Sequence, residues 1–386
     1  MKILQVIPYF SYMYGGTVRV VADLSRALAE NGHEVTIYTT DEGPEHRLME
    51  RDKIDLDGVA DIHYFRCSNN WLAHRMRLHL SRQMRLAIKH NLRQFDVVHL
   101  HELRTIPNAY VWHYSRKYGI PYVLEPDNQM PYILGNTASK RAYDRIIGMR
   151  TLRNATSVIA ISKEEQEYIS AIAPRESLSL IYSGMDLEQF EKTPCYGAFR
   201  EAFGIDGTLI LYFGRLNLSK GIQHLIPAFA RLHRDLSDST LVIAGADDGY
   251  RRVLENAVEE QNIKDSVIFT GFVPEEQKLS ILTDADLFVH PVKFMGGVGI
   301  APLEAILCGT PVVVTPECGE IIQKARCGYI VRYGDIDDLH QKIKCAISNA
   351  DETKRMIKRG KEYISTHLDW KNVARKVERV YATCVE

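Results

Sequence analysis

Seven cysteines are spread over 386 residues without one CxxC pair. That argues against a disulfide frame and against a thiolate zinc site, and points to reduced thiols in a cytoplasmic protein. No apolar run reaches the roughly 18–20 residues needed to cross a bilayer. The opening "MKILQVIPYF" is too short, and too soon interrupted by Pro8, to read as a secretion signal. Lysine and arginine (48) nearly balance aspartate and glutamate (49), so the net charge of −1 gives no field for nucleic acid. No GxxxxGK[ST] occurs, and the first glycine pair is not part of a GxGxxG, which weakens Walker-type and dinucleotide sites. Asp247 and Asp248 are adjacent rather than spaced as DxD, so no metal site is expected there. Short repeats and low-complexity segments are also missing.

What the chain does contain is an alternation of short apolar runs with longer helical patterns. "KILQVIPY" (2–9), "EVTIYTT" (34–40), "DVVHLH" (96–101), "PYVLEP" (121–126) and "SVIAIS" (157–162) form a first series. "TLILYFGR" (208–215), "TLVIAG" (240–245), "VIFTG" (267–271), "DLFVHP" (286–291), "PVVVT" (311–315) and "GYIVR" (328–332) form a second. Runs that are continuous rather than alternating suit parallel strands covered on both faces. The expectation is an α/β protein with two Rossmann-like, doubly wound domains, about six strands in each, facing one another across a cleft. The seam falls near the turn-rich 181–194, giving residues 1–186 and 187–367, with a closing helix at 368–386. In such sheets ligands bind beyond the carboxyl ends of the strands.

Three strand-to-helix junctions carry phosphate-binding chemistry. Gly15 and Gly16 follow the first strand and open a helix with Val18, Val21, Ala22, Leu24, Ser25 and Leu28 at helical spacing. Bare amides at a helix N-terminus favour an anion. Arg215 stands at the end of the second series' first strand, and Lys220 lies just before a helix-opening glycine. A guanidinium fork and an ammonium together suit a pyrophosphate. In "GGVGIAPLEAILCG" the amides of Gly297, Val298, Gly299 and Ile300 face a second anionic group. Glu304, a turn later, can accept both hydrogens of a ribose diol. Its plain alternative is a favourable charge near a helix N-terminus. Together these features suit a nucleoside diphosphate carrying a further group.

The sequence resembles the family 4 retaining glycosyltransferases of GT-B fold over essentially its whole length. The resemblance is carried by "GG" (15–16), "FDVVHLHE" (95–102), "SVIAISKEEQEYI" (157–169), "YSGMDLEQF" (182–190), "FGRLNLSKGIQHLIPAF" (213–229), "LVIAGADDG" (241–249), "VIFTGFVPEEQKLSILTDADLFVHPV" (267–292) and "GGVGIAPLEAILCGTPVV" (296–313). It implies transfer of a sugar from a UDP-, GDP- or ADP-linked donor, with retention and with neither metal nor cofactor. The acceptor would be lipid-linked or a polysaccharide precursor. Arg215 and Lys220 would hold the diphosphate, Glu304 the ribose, Gly16 would approach the phosphate, and backbone around Val273 would line the base. The closing "HLDWKNVARKVERVY" (367–381) resembles the helix that crosses back onto the first domain in that family.

Two departures bear on activity. The family usually carries a second glutamate eight positions before the one matched by Glu304, and here that position is Gly296. It often carries a histidine where this chain has Asp127, in "EPDNQMP". Asp127 is therefore a candidate to orient an acceptor hydroxyl or serve as its base, the alternative being a helix cap. Of the pair in "DVVHLH", one histidine is expected in the core, and His101 with Glu102 on the acceptor side. The departures sustain an alternative function, a GT-B protein that binds nucleotide sugar with little or no transfer; an epimerase acting on a nucleotide sugar is a third. Between Asp61 and Asp96 there are seven cations and no acid. On one continuous helix over 71–93, Arg75, Arg82, Arg85, Lys89 and Arg93 would form a stripe beside Leu72, Met76, Leu80, Met84 and Ala87, with Trp71 at its start. That is the layout of a peripheral helix on an anionic membrane surface; the alternative is a solvated basic edge.

Overall fold

The computed structural model describes residues 1–43, 46–50, 53–76, 78–129, 137–173, 176–191, 196–293 and 299–385. The chain divides into two compact units, Met1–Met185 with Leu368–Glu386, and Asp186–His367.

The first unit holds seven parallel strands: β1 (Lys2–Tyr9), β2 (Glu34–Thr40), β3 (Ala60–Phe65), β4 (Val97–His101), β5 (Tyr122–Glu125), β6 (Ser157–Ala160) and β7 (Leu178–Leu180), in the order β3-β2-β1-β4-β5-β6-β7. The second holds six: β8 (Thr208–Phe213), β9 (Ser239–Ala244), β10 (Val267–Gly271), β11 (Leu287–His290), β12 (Val312–Val314) and β13 (Tyr329–Ile330), in the order β10-β9-β8-β11-β12-β13. Each sheet reverses its winding beside its first strand, at β1/β4 and at β8/β11, the switch points where open α/β sheets bind ligands. The first sheet has seven strands, not six. Its edge strands escape a search for continuous apolar runs, since β3 leaves Asp61 and His63 exposed and β7 is three half-buried residues long.

The central strands are buried on both faces. Ile3, Leu4, Val6 and Ile7 of β1 are fully covered, as are Leu209 to Tyr212 of β8. The first helix, Gly16–Glu30, buries Val18, Val21, Ala22, Leu24, Ser25 and Leu28, the stripe its spacing predicts.

The closing helix, Trp370–Val385, packs on that same face of the first unit. Trp370, Val373, Ala374, Val377, Val380 and Tyr381 join the first helix and β1 in one core. The chain is stitched there by Met185 N donating to Leu368 O at 2.7 Å and by Asn31 Nδ2 donating to Glu378 Oε1 at 2.6 Å. Gly184 leaves room for the Trp370 indole, and a Cβ at 184 would lie 2.4 Å from its Cδ2. Overpacking of this kind costs about 1–3 kcal/mol. Gly184→Ala is therefore expected to destabilise the first unit by about that amount in urea denaturation, and an unchanged midpoint would contradict this docking of the helix.

Candidate functional site

At the carboxyl ends of β1, β4, β5 and β6 lies a connected polar network. Gly15, at φ 85°, turns the chain into the first helix. Gly16 has ordinary backbone geometry, and a Cβ there would meet nothing within 4 Å. The fold thus requires glycine at 15 but not at 16, where a small residue leaves the helix's first amides open to approach. Asp127 reaches this turn from the end of β5, its Oδ2 accepting from Thr17 Oγ1 at 2.7 Å. It caps no helix of its own segment among the described residues. Glu102, Asp127 and Asn128 all have left-handed backbones, at φ 63°, 61° and 51°. Non-glycine residues held this way are over-determined by their surroundings and cluster at functional sites.

The bracing is visible. Gln129 Oε1 accepts from Leu103 N (3.1 Å) and Arg104 N (2.8 Å), and Asn128 Oδ1 accepts from Ser162 Oγ at 2.6 Å. The Arg104 guanidinium donates to both Asp144 oxygens and to the Gln129 carbonyl. Tyr9 donates its hydroxyl to Glu102. Burial pushes the Asp127 carboxyl up to about 7, and the neighbouring Glu125 carboxylate pushes the same way. Burial also carries Glu165 to about 8. A group near neutrality can accept or give a proton at working pH.

His101 does not lie open on the acceptor side. Both it and His99 are fully buried, because β4 is central and its inward residues face the closing helix. His99 Nδ1 meets Tyr381 Oη at 2.8 Å and His101 Nε2 meets Gln5 Oε1 at 2.8 Å. Burial holds both imidazoles neutral, their pKa values near 3. Their other nitrogens face Glu125 at 3.7 and 3.8 Å. Among the described residues these three form the one group whose ligand atoms lie within 4.8 Å of one another. A cation or a buried water there would meet their lone pairs.

The basic segment is also not one helix. Asn70–Met76 and Arg82–Asn91 are separate, because Ser81 caps the second, its hydroxyl accepting from Met84 N. Met84 and Ile88 are buried in the core, while Arg82, Arg85 and Lys89 are exposed. The Met84–Ile88 side of this helix is therefore already covered, while Leu80 and Leu86 are exposed.

In the second unit the loops after β8 and β9 run zipped together. Leu216 N donates to Ala246 O at 2.9 Å and Asp248 N to Leu216 O at 3.1 Å. A Cβ at Gly245 would lie 2.0 Å from Gly214 O, so this approach requires glycine. Arg215 projects from the junction, its side chain 71% exposed and 3.3 Å from Asp248. Asp248 is thus a counter-ion and Asp247 a turn residue, its Oδ1 accepting from Tyr250 N and Arg251 N. Lys220 lies before Gly221, whose Cβ would strike Pro291 O at 1.8 Å. Burial lowers the Lys220 pKa, and the Arg215 cation lowers it further. Two neighbouring cations, one partly desolvated, favour an anion between them. His290, at the end of β11, lies near them; it is buried and stacked between Tyr212 and Phe288 at 5.5 and 5.7 Å, with its pKa near 3.

Gly299 opens the helix Ile300–Cys308; Gly296, Gly297 and Val298 lie outside the described residues. Glu304 is not turned to open solvent. It is 6% exposed and its Oε1 accepts from Lys278 Nζ at 2.6 Å, with Lys278 5% exposed. Being five residues into the helix, it is also no first-turn charge. Val273 is buried beyond the end of β10, next to an exposed Phe272. Thr17 and His290 carry no signal in the sequence that marks them. Glu165 does, standing three residues after Ser162 in the spacing of a capping box, where the Ser162 hydroxyl accepts from Glu165 N, and so does Lys278, which shares a helical stripe with Ile281, Leu282 and Ala285.

Two doubly wound parallel sheets, each with its polar groups at the carboxyl ends, define a GT-B glycosyltransferase fold. Residues 14–189 match the model of Glycosyltransferase Family 4 and residues 198–363 that of Glycosyl transferases group 1. The chain belongs to the family 4 glycosyltransferases. It is 28% identical to an uncharacterized glycosyltransferase of Methanocaldococcus jannaschii, over 100% of this chain and 99% of that one. It is 26% identical to the GDP-mannose-dependent alpha-(1-6)-phosphatidylinositol monomannoside mannosyltransferase of Mycolicibacterium smegmatis, over 58% of this chain and 61% of that one. Anabaena HepE, solved in complex with UDP, superposes with a TM-score of 0.80 at 18% identity, over 99% of this chain and 100% of that one. Among the described residues no helix is long and apolar enough to cross a membrane.

A carboxyl whose pKa is raised by folding holds its proton more tightly when folded. Its effect is therefore a loss of stability as pH rises from about 4, the unfolded value, to about 7. Asp127→Asn is expected to shrink the fall in unfolding free energy between pH 4.5 and 7.5 by about 1 kcal/mol or more. Parallel curves for the two proteins would show that Asp127 does not titrate there.

Proposed function

We propose that this glycosyltransferase takes its sugar from a nucleoside diphosphate and passes it, with retention, to an acceptor hydroxyl, needing neither metal nor cofactor. The observation that carries this is the pair of cations at the end of β8, where Arg215 and the partly desolvated Lys220 favour an anion. The anomeric carbon's bond to the phosphate oxygen breaks and its bond to the acceptor oxygen forms on the same face. The acceptor's proton passes to the departing phosphate. Arg215 and Lys220 stabilise the charge that develops on that group, where preorganised donors act most strongly. Amides at Gly299 and Ile300 would face a further anionic oxygen, Glu304 would hold the ribose diol, and backbone at Val273 the base. Asp127, near neutral pKa and braced beside Thr17, would hold the acceptor hydroxyl. UDP as the nucleotide is supported by Anabaena HepE, and GDP by the name of the mycobacterial relative. Gly296, where the family carries a glutamate, favours a second reading: nucleotide sugar is bound but transferred poorly.

The acceptor side has a candidate surface in the exposed Arg82, Arg85 and Lys89, with Trp71 63% exposed nearby in sequence. With Met84 and Ile88 committed to the core, attraction to anionic headgroups rather than insertion of this helix would hold the protein at a cytoplasmic membrane face, next to a lipid-borne acceptor.

Charge-assisted hydrogen bonds contribute about 1.5–3 kcal/mol each. Arg215→Ala and Lys220→Ala are each expected to weaken binding of the preferred nucleoside diphosphate about 10- to 100-fold by calorimetry; unchanged affinity in both would remove the diphosphate from this place. Each cation near an anionic surface contributes about 1 kcal/mol. Replacing Arg82, Arg85 and Lys89 together by Gln should then lower binding to phosphatidylserine vesicles about a hundredfold at low salt. A wild-type protein that ignores such vesicles would point to a soluble acceptor.

A further inference from the structure

The helices Glu275–Asp284 and Ile300–Cys308 meet through a buried ion pair in place of an apolar contact. Lys278 occupies the same face as Ile281, Leu282 and Ala285, all buried, and is itself 5% exposed. A lysine there costs desolvation that an apolar residue of similar volume would avoid, so packing alone gives no reason for it. Its ammonium donates to Glu304 Oε1 at 2.6 Å. Among the described residues Glu304 has no other hydrogen-bond partner, which leaves lone pairs on the carboxylate to accept.

We propose that Lys278 is a positioning residue for nucleoside recognition: it fixes the Glu304 carboxylate as an acceptor for the two ribose hydroxyls of the donor nucleotide. The inference rests on the reading that Glu304 takes the ribose. A lysine ammonium has donors only, so the carboxylate facing it must accept, and a vicinal diol supplies two further donors. The pair also locks one oxygen of Glu304, so the other does not need to be ordered when the nucleotide arrives. Lys278 itself touches no reacting atom. Its effect should appear in affinity for the ribose and not in affinity for base or phosphate.

The test compares the full-length protein's calorimetric affinity for UDP, GDP or ADP, whichever binds best, with that for its 2′,3′-dideoxy counterpart. The wild type should prefer the ribose form about 10- to 100-fold, the range of one or two charge-assisted hydrogen bonds. Lys278→Met should cut that preference to about threefold or less while leaving the dideoxy affinity within about threefold of wild type. Lys278→Gln, which keeps a hydrogen-bond donor toward the Glu304 carboxylate but removes the ammonium charge, should lower the preference at least threefold. Lys278→Arg should retain more of it than Lys278→Gln. Glu304→Gln serves as the control. If it loses the preference while Lys278→Met and Lys278→Gln keep that of the wild type, the role of Lys278 is overturned and the ribose reading stands. If Glu304→Gln keeps the preference, the ribose reading falls and the role of Lys278 falls with it.

Discussion

Covering both faces of a parallel sheet leaves only the ends of its strands open for chemistry, and the rest of this structure depends on that constraint. β1, β4, β8 and β11 bury nearly every side chain they carry, histidines included. Among the described residues His99 Nδ1 and His101 Nε2 find partners inside in Tyr381 and Gln5, while the buried ring of His290 makes no hydrogen bond. Groups meant for a ligand are displaced to the strand ends. There the backbone is pushed into conformations it seldom adopts, at Glu102, Asp127 and Asn128 in the first unit and at Gly214, Gly221 and Gly245 in the second. In the three non-glycine residues such geometry persists only where neighbours enforce it, as Arg104, Asp144 and Gln129 do. In the second unit glycine takes it without strain, which lets the loops after β8 and β9 run zipped together.

The two ends are charged differently. The first unit concentrates carboxyl groups, of which Asp127 and Glu165 are shifted upward by burial, so protons rather than cations balance them near neutral pH. The second concentrates cations, with Lys220 disfavoured by burial and by Arg215. A carboxyl-rich end suits hydroxyl groups, and a cation-rich end suits phosphates. This separation fits the division of labour proposed for acceptor and donor.

Much of this was legible in the residues, for reasons that can be named. Continuous apolar runs reported the central strands because burial on both faces removes any need for alternation. Arg215, Lys220 and the glycines at 15 and 221 were legible because strand-to-helix junctions are local in sequence. Edge strands β3 and β7 were not, since half-exposed residues carry no such run. The supposed single helix over 71–93 overlooked Ser81, a residue that competes for backbone amides and here starts a new helix. His101 was misplaced because a strand's end in sequence does not report how deep its side chain lies. The contacts Thr17–Asp127 and Lys278–Glu304 join residues 110 and 26 positions apart, and pairing across such distances is decided by tertiary packing.

The central claim is that a sugar leaves a nucleoside diphosphate and reaches an acceptor with its anomeric configuration kept. Incubating the protein with labelled UDP-, GDP- and ADP-sugars and a lipid extract, while following nucleoside diphosphate and the label together, tests it most directly. The account predicts release of one nucleoside diphosphate matched by label in an extractable product, its anomeric linkage the same as the donor's. A donor that binds and stays intact, a sugar altered while still on its nucleotide, or a product of inverted configuration would contradict it.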